Sequence, residues 1–123
     1  MTTYYLIRHG TTAWVDQQRL HGITDIPLNE NGQQQAQRTA EAMQGIHAVH
    51  LFSSPLSRAM QTAQAIGEKV NLVPNPRPGL IEINFGWMEG STIEDDLTPD
   101  KPKIIYYYEH YYLNFIRFLS GDS

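Results

Sequence analysis

The chain has 123 residues, 41% hydrophobic and 18% charged, the make-up of one soluble domain with a single core. Nine Lys and Arg against thirteen Asp and Glu give a formal net charge of -4 with no basic block, which excludes a broad electrostatic grip on nucleic acid: any anion has to be held by a few placed arginines. The absence of cysteine excludes a disulfide framework, a thiolate zinc site and a thiol nucleophile, and no stretch approaches the roughly 18 apolar residues needed to cross a bilayer, so a cytoplasmic protein without a membrane partner is expected.

Thr3 to Ile7 is a β-branched and aromatic run that breaks at Gly10, which predicts a buried strand with Arg8 and His9 at its C-terminal end. From Thr11 to Leu28 no periodicity persists, and Gly22, Asp25 and Pro27 mark turns, so a long loop is expected there. Asn29 reads as the N-cap of a helix whose inner face is Ala36, Ala40 and Met43 and which Gly45 closes. Ala48 to Phe52 predicts a second strand. Ser54 and Pro55 then read as the N-cap and first residue of a second helix, with Ala59, Met60, Ala63 and Ile66 facing the core. Val70, Leu72 and Val73 predict a third strand. The order β-α-β-α-β predicts an α/β fold with a mainly parallel sheet, whose ligands gather at the carboxyl ends of its strands. Asp100 and Pro102 open a last predicted helix through Leu119, with Ile104, Tyr108, Tyr111, Tyr112, Phe115 and Leu119 at helical spacing. Packing explains those tyrosines better than a cofactor does.

Three groups of residues bear on chemistry. Arg8-His9-Gly10 places a guanidinium fork and an imidazole at a strand end, and a neutral imidazole is a nucleophile towards phosphorus once its other nitrogen is tied to an acceptor. A glycine beside it leaves room for a phosphate, although taken alone the tripeptide reads better as a satisfied strand-end histidine. Ser54-Pro55-Leu56-Ser57-Arg58 sets an arginine in the first turn of a helix, where free N–H groups already favour anions and a cation is otherwise misplaced. Glu82 lies among Leu80, Ile81, Ile83 and Phe85. Apolar company raises a carboxyl pKa towards the range of a general acid, although taken alone a plain surface glutamate is the better account.

Together Leu6-Ile7-Arg8-His9-Gly10, Ser54 to Ala59 with Thr62-Ala63, and Glu82 with Phe85 to Gly90 resemble the histidine phosphatase superfamily in its phosphoglycerate mutase-like branch. Pro27-Leu28, Gly32 and Gln35-Ala36 match that family's approach to its first helix, and the resemblance runs from Met1 to about Gly90. It implies a three-layer α/β fold and a metal-independent, cofactor-free phosphoryl transfer from a small phosphorylated metabolite. His9 becomes a phosphohistidine, Arg8 and Arg58 clamp the phosphate oxygens, and Glu82 serves as acid and then base. Thr11, His21 and Gly22 line the phosphate by position. The chain departs from the family at Val15, where an asparagine usually bonds the phosphate, and at its length. Family members run to about 200 residues, within the usual domain range, and carry a second active-site histidine on a late strand.

A single domain over 1–123, missing its C-terminal strand and helix, is therefore expected. The missing strand would flank the first one, so its loss would bare a sheet edge and invite a homodimer. A phosphatase is the leading reading, with a mutase and a non-catalytic phosphate-binding member as alternatives. Neither His47 with His50, three apart on opposite strand faces, nor the acidic run Glu94, Asp95, Asp96 and Asp100 has the order of a metal site.

Overall fold

The structure, a computed structural model, describes residues 3–82 and 84–91. The predicted helix from Asp100 to Leu119 and the acidic run before it lie outside them. The elements in chain order are α1 (Ala13–Asp16), α2 (Glu30–Met43), β1 (Phe52–Ser53), α3 (Ser57–Val70) and β2 (Asn75–Pro76), followed by single 3₁₀ turns at Pro78–Leu80 and Gly86–Met88. No helix among the described residues is long and apolar enough to cross a membrane.

Helix α2 begins as its sequence dictates: the Asn29 Oδ1 accepts from the Gly32 N–H at 2.8 Å, and Ala36 and Ala40 are buried. Its small residues let it lie close to α3, which presents Ala65 and Ile66. Leu28, Ala36, Ala40, Ala65 and Ile66 form the core, with Ile7, Met43, Leu51 and Val70 packed around it. Burying a side chain such as Leu28 or Ile66 contributes roughly 1.5–3 kcal/mol, so this small cluster is a large share of what holds the two helices together.

β1 and β2 pair in parallel, Phe52 opposite Asn75 and Ser53 opposite Pro76, with α3 as the crossover between them. The bonds that carry the pairing run from the Asn75 N–H to the Leu51 carbonyl at 2.9 Å and from the Arg77 N–H to the Ser53 carbonyl at 2.8 Å. This keeps the expected strand–helix–strand order for the last two strands but shifts both of them, and the first expected strand is not formed among the described residues. The second strand overlaps Ala48–Phe52 only at Phe52 and runs on to Ser53. The third begins after Val70–Val73, because Val70 still packs in helical conformation and Asn71 ends the helix in the left-handed region at φ 59°. Thr3 to Ile7, expected as a buried strand, carries no strand pairing, and Tyr4 and Tyr5 are exposed. A ladder needs a partner for its N–H and C=O groups, and none of the described residues supplies one.

The long loop is more ordered than its composition suggests. Thr12 caps the short helix α1, accepting from the Val15 N–H at 3.2 Å, and the Thr12–Leu28 bridge closes the loop at its base. Helix α3 starts at Ser57 and not at Pro55, since its cap comes from across the chain: Asp25 accepts from the Ser57 N–H at 2.7 Å and from its hydroxyl at 3.1 Å.

Gly10 and Gly32 meet backbone to backbone. A Cβ on Gly10 would overlap the Gly32 carbonyl, and one on Gly32 would overlap the Thr11 carbonyl. The missing side chain at Gly10 therefore serves the approach of α2, a correction to the expectation that it makes room for phosphate. Gly32→Ala is expected to lower stability by on the order of 2 kcal/mol or more, despite alanine's better helix propensity, because neither backbone can yield cheaply. A thermal melt of the variant checks this, and an unchanged or higher melting temperature would refute the contact.

Candidate active site

The last residues before Gly10, the first turn of α3, the 21–24 loop and Glu82 converge on a cavity of about 270 Å³ walled in part by Arg8, His9, His21, Arg58, Thr62 and Glu82. The His9 Nδ1 lies 2.6 Å from the Gly10 carbonyl oxygen. A carbonyl only accepts, so Nδ1 carries the proton and Nε2 keeps the free lone pair. Burial holds the His9 pKa down to about 4 from its ordinary 6.5. The Gly10 bond works in the opposite direction, and the charges of Arg58 and Arg8 deepen the depression. At neutral pH the imidazole is uncharged.

Arg58 sits at the second position of α3 with 1% of its surface exposed. Its guanidinium donates from Nη1 to the Thr24 carbonyl at 2.8 Å and from Nη2 to the Gly22 carbonyl, and Nη2 lies 3.9 Å from the Glu82 Oε2. Burial pushes its pKa down from the ordinary value, against the carboxylates of Glu82, Glu89 and Asp25, yet an arginine stays charged. Glu82 is raised by burial more than Arg58 and Arg8 lower it, so it holds its proton to higher pH than an ordinary glutamate. A neutral imidazole, a guanidinium and a carboxyl whose pKa is raised by burial, all around one cavity, form a set suited to taking a phosphoryl group and protonating what leaves.

His21 is 5% exposed, and its ring meets those of His9 and Trp14 edge-on at 5.9 and 6.2 Å between centroids. Burial first, then Arg58, His9 and Arg8, bring its pKa down to about 3. Its Nε2 is buried with no hydrogen-bond partner. Thr11 and Gly22 are not in the cavity walls. The Thr11 hydroxyl donates to Asp16 at 2.9 Å, its N–H donates to the Gln35 Oε1 at 2.8 Å, and the Gly22 N–H is held by Glu89. His50 stacks on Phe52, and among the described residues no group of three or more His, Cys, Asp or Glu is placed to hold a metal ion.

Thr62 also belongs here. Its hydroxyl accepts from the Gly10 N–H at 3.1 Å and donates to the Arg58 carbonyl at 2.9 Å, tying the histidine-bearing turn to α3. The signal for it was a spacing of four residues from Arg58 on one helix face. Gln35 and Glu89 fall within the motifs that resemble the family, but neither they nor Asp25 gave any local sign of their partners, since each acts on backbone far away in sequence.

The chain belongs to the histidine phosphatase superfamily, branch 1, whose family model matches residues 4–106. It is 39% identical over 101 residues to a probable phosphoglycerate mutase, GpmB, of Yersinia pestis, an alignment that covers 82% of this chain and 46% of the relative. The chain thus spans about half the length of the curated relatives it matches. The mycobacterial glucosyl-3-phosphoglycerate phosphatase in complex with VO3 superposes with a TM-score of 0.74 at 31% identity, over 81% of this chain and 49% of that one. A phosphoserine phosphatase of Entamoeba histolytica in complex with 3-phosphoglyceric acid gives 0.64 at 34% identity, over 94% and 50%. The phosphoglycerate mutase-like α/β fold class expected from the sequence is therefore the one observed.

Proposed function

We propose that this chain carries the phosphoryl-transfer machinery of a metal-independent phosphomonoester phosphatase that acts through a phosphohistidine on a small phosphorylated metabolite. The observation that carries the reading is His9: its Nδ1 is committed to the Gly10 carbonyl, its ring is neutral, and it shares one cavity with Arg8, Arg58 and Glu82. The Nε2 lone pair forms the N–P bond as the ester P–O bond breaks. Arg8 and Arg58 take the charge gathering on the phosphoryl oxygens, and Glu82 gives its proton to the departing alkoxide. The resulting carboxylate then takes a proton from water, whose oxygen attacks phosphorus. The N–P bond breaks, and neutral His9 and inorganic phosphate remain. His21 lines the phosphate beside His9, while Thr11 and Gly22 hold the surrounding loop.

The relatives named as phosphatases of glucosyl-3-phosphoglycerate and phosphoserine support the substrate class. A mutase, passing phosphate through the same phosphohistidine, is the second reading, favoured by the name of the Yersinia relative. A cytoplasmic setting and a homodimer paired along the exposed residues at Tyr4 and Tyr5 complete the proposal.

Hydrolysis of an aryl phosphate in EDTA tests it. Turnover needs His9 deprotonated and Glu82 protonated. Corrected for ionisation of the substrate, kcat/KM should therefore rise through an acid limb near pH 4, the His9 value, and fall on the alkaline side above the ordinary carboxyl range of Glu82. Turnover lost to EDTA, or an acid limb at the ordinary 6.5 of histidine, would count against this assignment.

A further inference from the structure

The 22–24 loop is held from two sides by opposite charges. On one side Glu89 collects its N–H groups. The Gly22 N–H donates to Oε2 at 2.7 Å and to Oε1 at 3.1 Å, and Thr24 donates to Oε1 from its N–H at 2.9 Å and its hydroxyl at 3.1 Å. On the other side the carbonyls of the same two residues receive the Arg58 guanidinium. The contacts span 65 to 67 residues of sequence on the Glu89 side and 34 to 36 on the Arg58 side, so neither is a by-product of local chain geometry.

We infer that Glu89 is a positioning residue of this site: by anchoring the N–H groups of Gly22 and Thr24, it aims their carbonyls and so fixes the guanidinium of Arg58 for phosphate. The inference rests on the phosphoryl-transfer reading above. Glu89 is not in the cavity wall, and both its oxygens are occupied by loop donors, so it has no part in the proton transfers. Charge-assisted bonds from N–H groups to a carboxylate are roughly twice as strong as neutral ones, which suits an anchor that must resist the pull of an arriving anion on Arg58. The negative charge of Glu89 also favours the charged form of the buried Arg58.

Segment 89–91 is itself fastened to the start of the loop. Gly90 N–H donates to the Leu20 carbonyl at 2.7 Å, Leu20 N–H to Ser91 at 2.8 Å, and Arg19 Nη1 to the Gly90 carbonyl at 2.6 Å. His21 stands between Leu20, held by this ladder, and Gly22, held by Glu89. The ladder alone is the rival account: if it suffices, the carboxylate is dispensable.

Glu89→Gln separates the two. A glutamine fills the same volume, but one of its two positions becomes an NH2 group facing an N–H of the loop, which breaks the anchor without removing the ladder. Affinity for inorganic phosphate and kcat/KM for an aryl phosphate are measured on wild type, Glu89→Gln, Arg58→Lys and the double variant, with a circular-dichroism melt of each. Displacements of about 1 Å at a clamp cost up to a hundredfold, so Glu89→Gln is expected to weaken phosphate binding and lower kcat/KM roughly tenfold to a hundredfold. In the Arg58→Lys background the same change should cost less than about twofold, because the fork it aims is gone. A purely structural glutamate would instead lower the melting temperature and cost the same factor in both backgrounds. Should Glu89→Gln fail to fold, Glu89→Asp, one methylene too short to span the loop, takes its place with the same expectation. Wild-type affinity in the folded variant overturns the inference alone. A wild-type chain that neither binds phosphate nor turns over the ester overturns the reading of the site and this inference with it.

Discussion

Replacing His9 by alanine is expected to reduce hydrolysis of an aryl phosphate by on the order of a thousandfold or more while the chain stays folded. The loss follows from the role of the imidazole: with the lone pair gone, water must attack phosphorus directly, and the step that splits one difficult displacement into two disappears. The fold tolerates the change because the one bond lost is local, from Nδ1 to the carbonyl of the next residue. Removal of the ring also removes a group that burial already penalises in its charged form. The check is a rate measurement beside a melt of the same preparation. Activity within a few-fold of wild type would mean that another residue attacks.

Arg58→Ala is the second large effect, and it should be visible in stability as well as rate. The guanidinium, 1% exposed, satisfies the carbonyls of Gly22 and Thr24 and neighbours Glu82. Its loss leaves two acceptors unpaired, at roughly 1–3 kcal/mol each where water cannot reach them. Turnover should fall by on the order of a hundredfold or more with the loss of the placed charge. The pH profile carries a sharper signature. Arg58 lowers the pKa of His9 and of Glu82, so removing it raises both, and the acid and alkaline limbs of kcat/KM both move to higher pH. Arg58→Lys keeps a charge and should leave the limbs close to their places while losing the bidentate fork. Limbs that stay fixed in Arg58→Ala would show that the arginine does not face these groups.

What could be read in advance divides by distance along the chain. Helix α2 was legible because its start is a local matter, the Asn29 side chain reaching the N–H three residues on, and because Ala36 and Ala40 fall on one face. Arg58 was legible as a cation out of place in a first helical turn, whereas Arg8, His9 and Glu82, unremarkable singly, were legible only through the ordered motifs that resemble the family. The strands were not. An apolar run such as Thr3 to Ile7 signals burial but cannot supply the neighbour that would make it a strand. The third strand slipped past Val73 because Asn71 closes the helix later than the apolar pattern suggests.

The supports of the site were equally hidden. Asp25 caps α3 from 32 residues away and Glu89 holds Gly22 from 67, and a carboxylate in a loop reads the same whether it anchors backbone or faces solvent. Thr11 and Gly22, placed at the phosphate by position in the sequence, turn their polar groups to Asp16 and Glu89. The Thr11 N–H is taken by Gln35, 24 residues on, and the Gly22 N–H by Glu89, 67 residues on, partners invisible in the local pattern, while the Thr11 hydroxyl turns to Asp16 only five residues away.

The central claim is that phosphate passes through His9, and the most direct measurement is the intact mass of the chain mixed with an aryl phosphate in EDTA and quenched in neutral denaturant within the first turnovers. The expected result is one phosphoryl group on the wild-type chain and none on the folded His9→Ala variant. A phosphoryl group retained by His9→Ala, or hydrolysis by the wild type with no adduct at any time point, would contradict the claim.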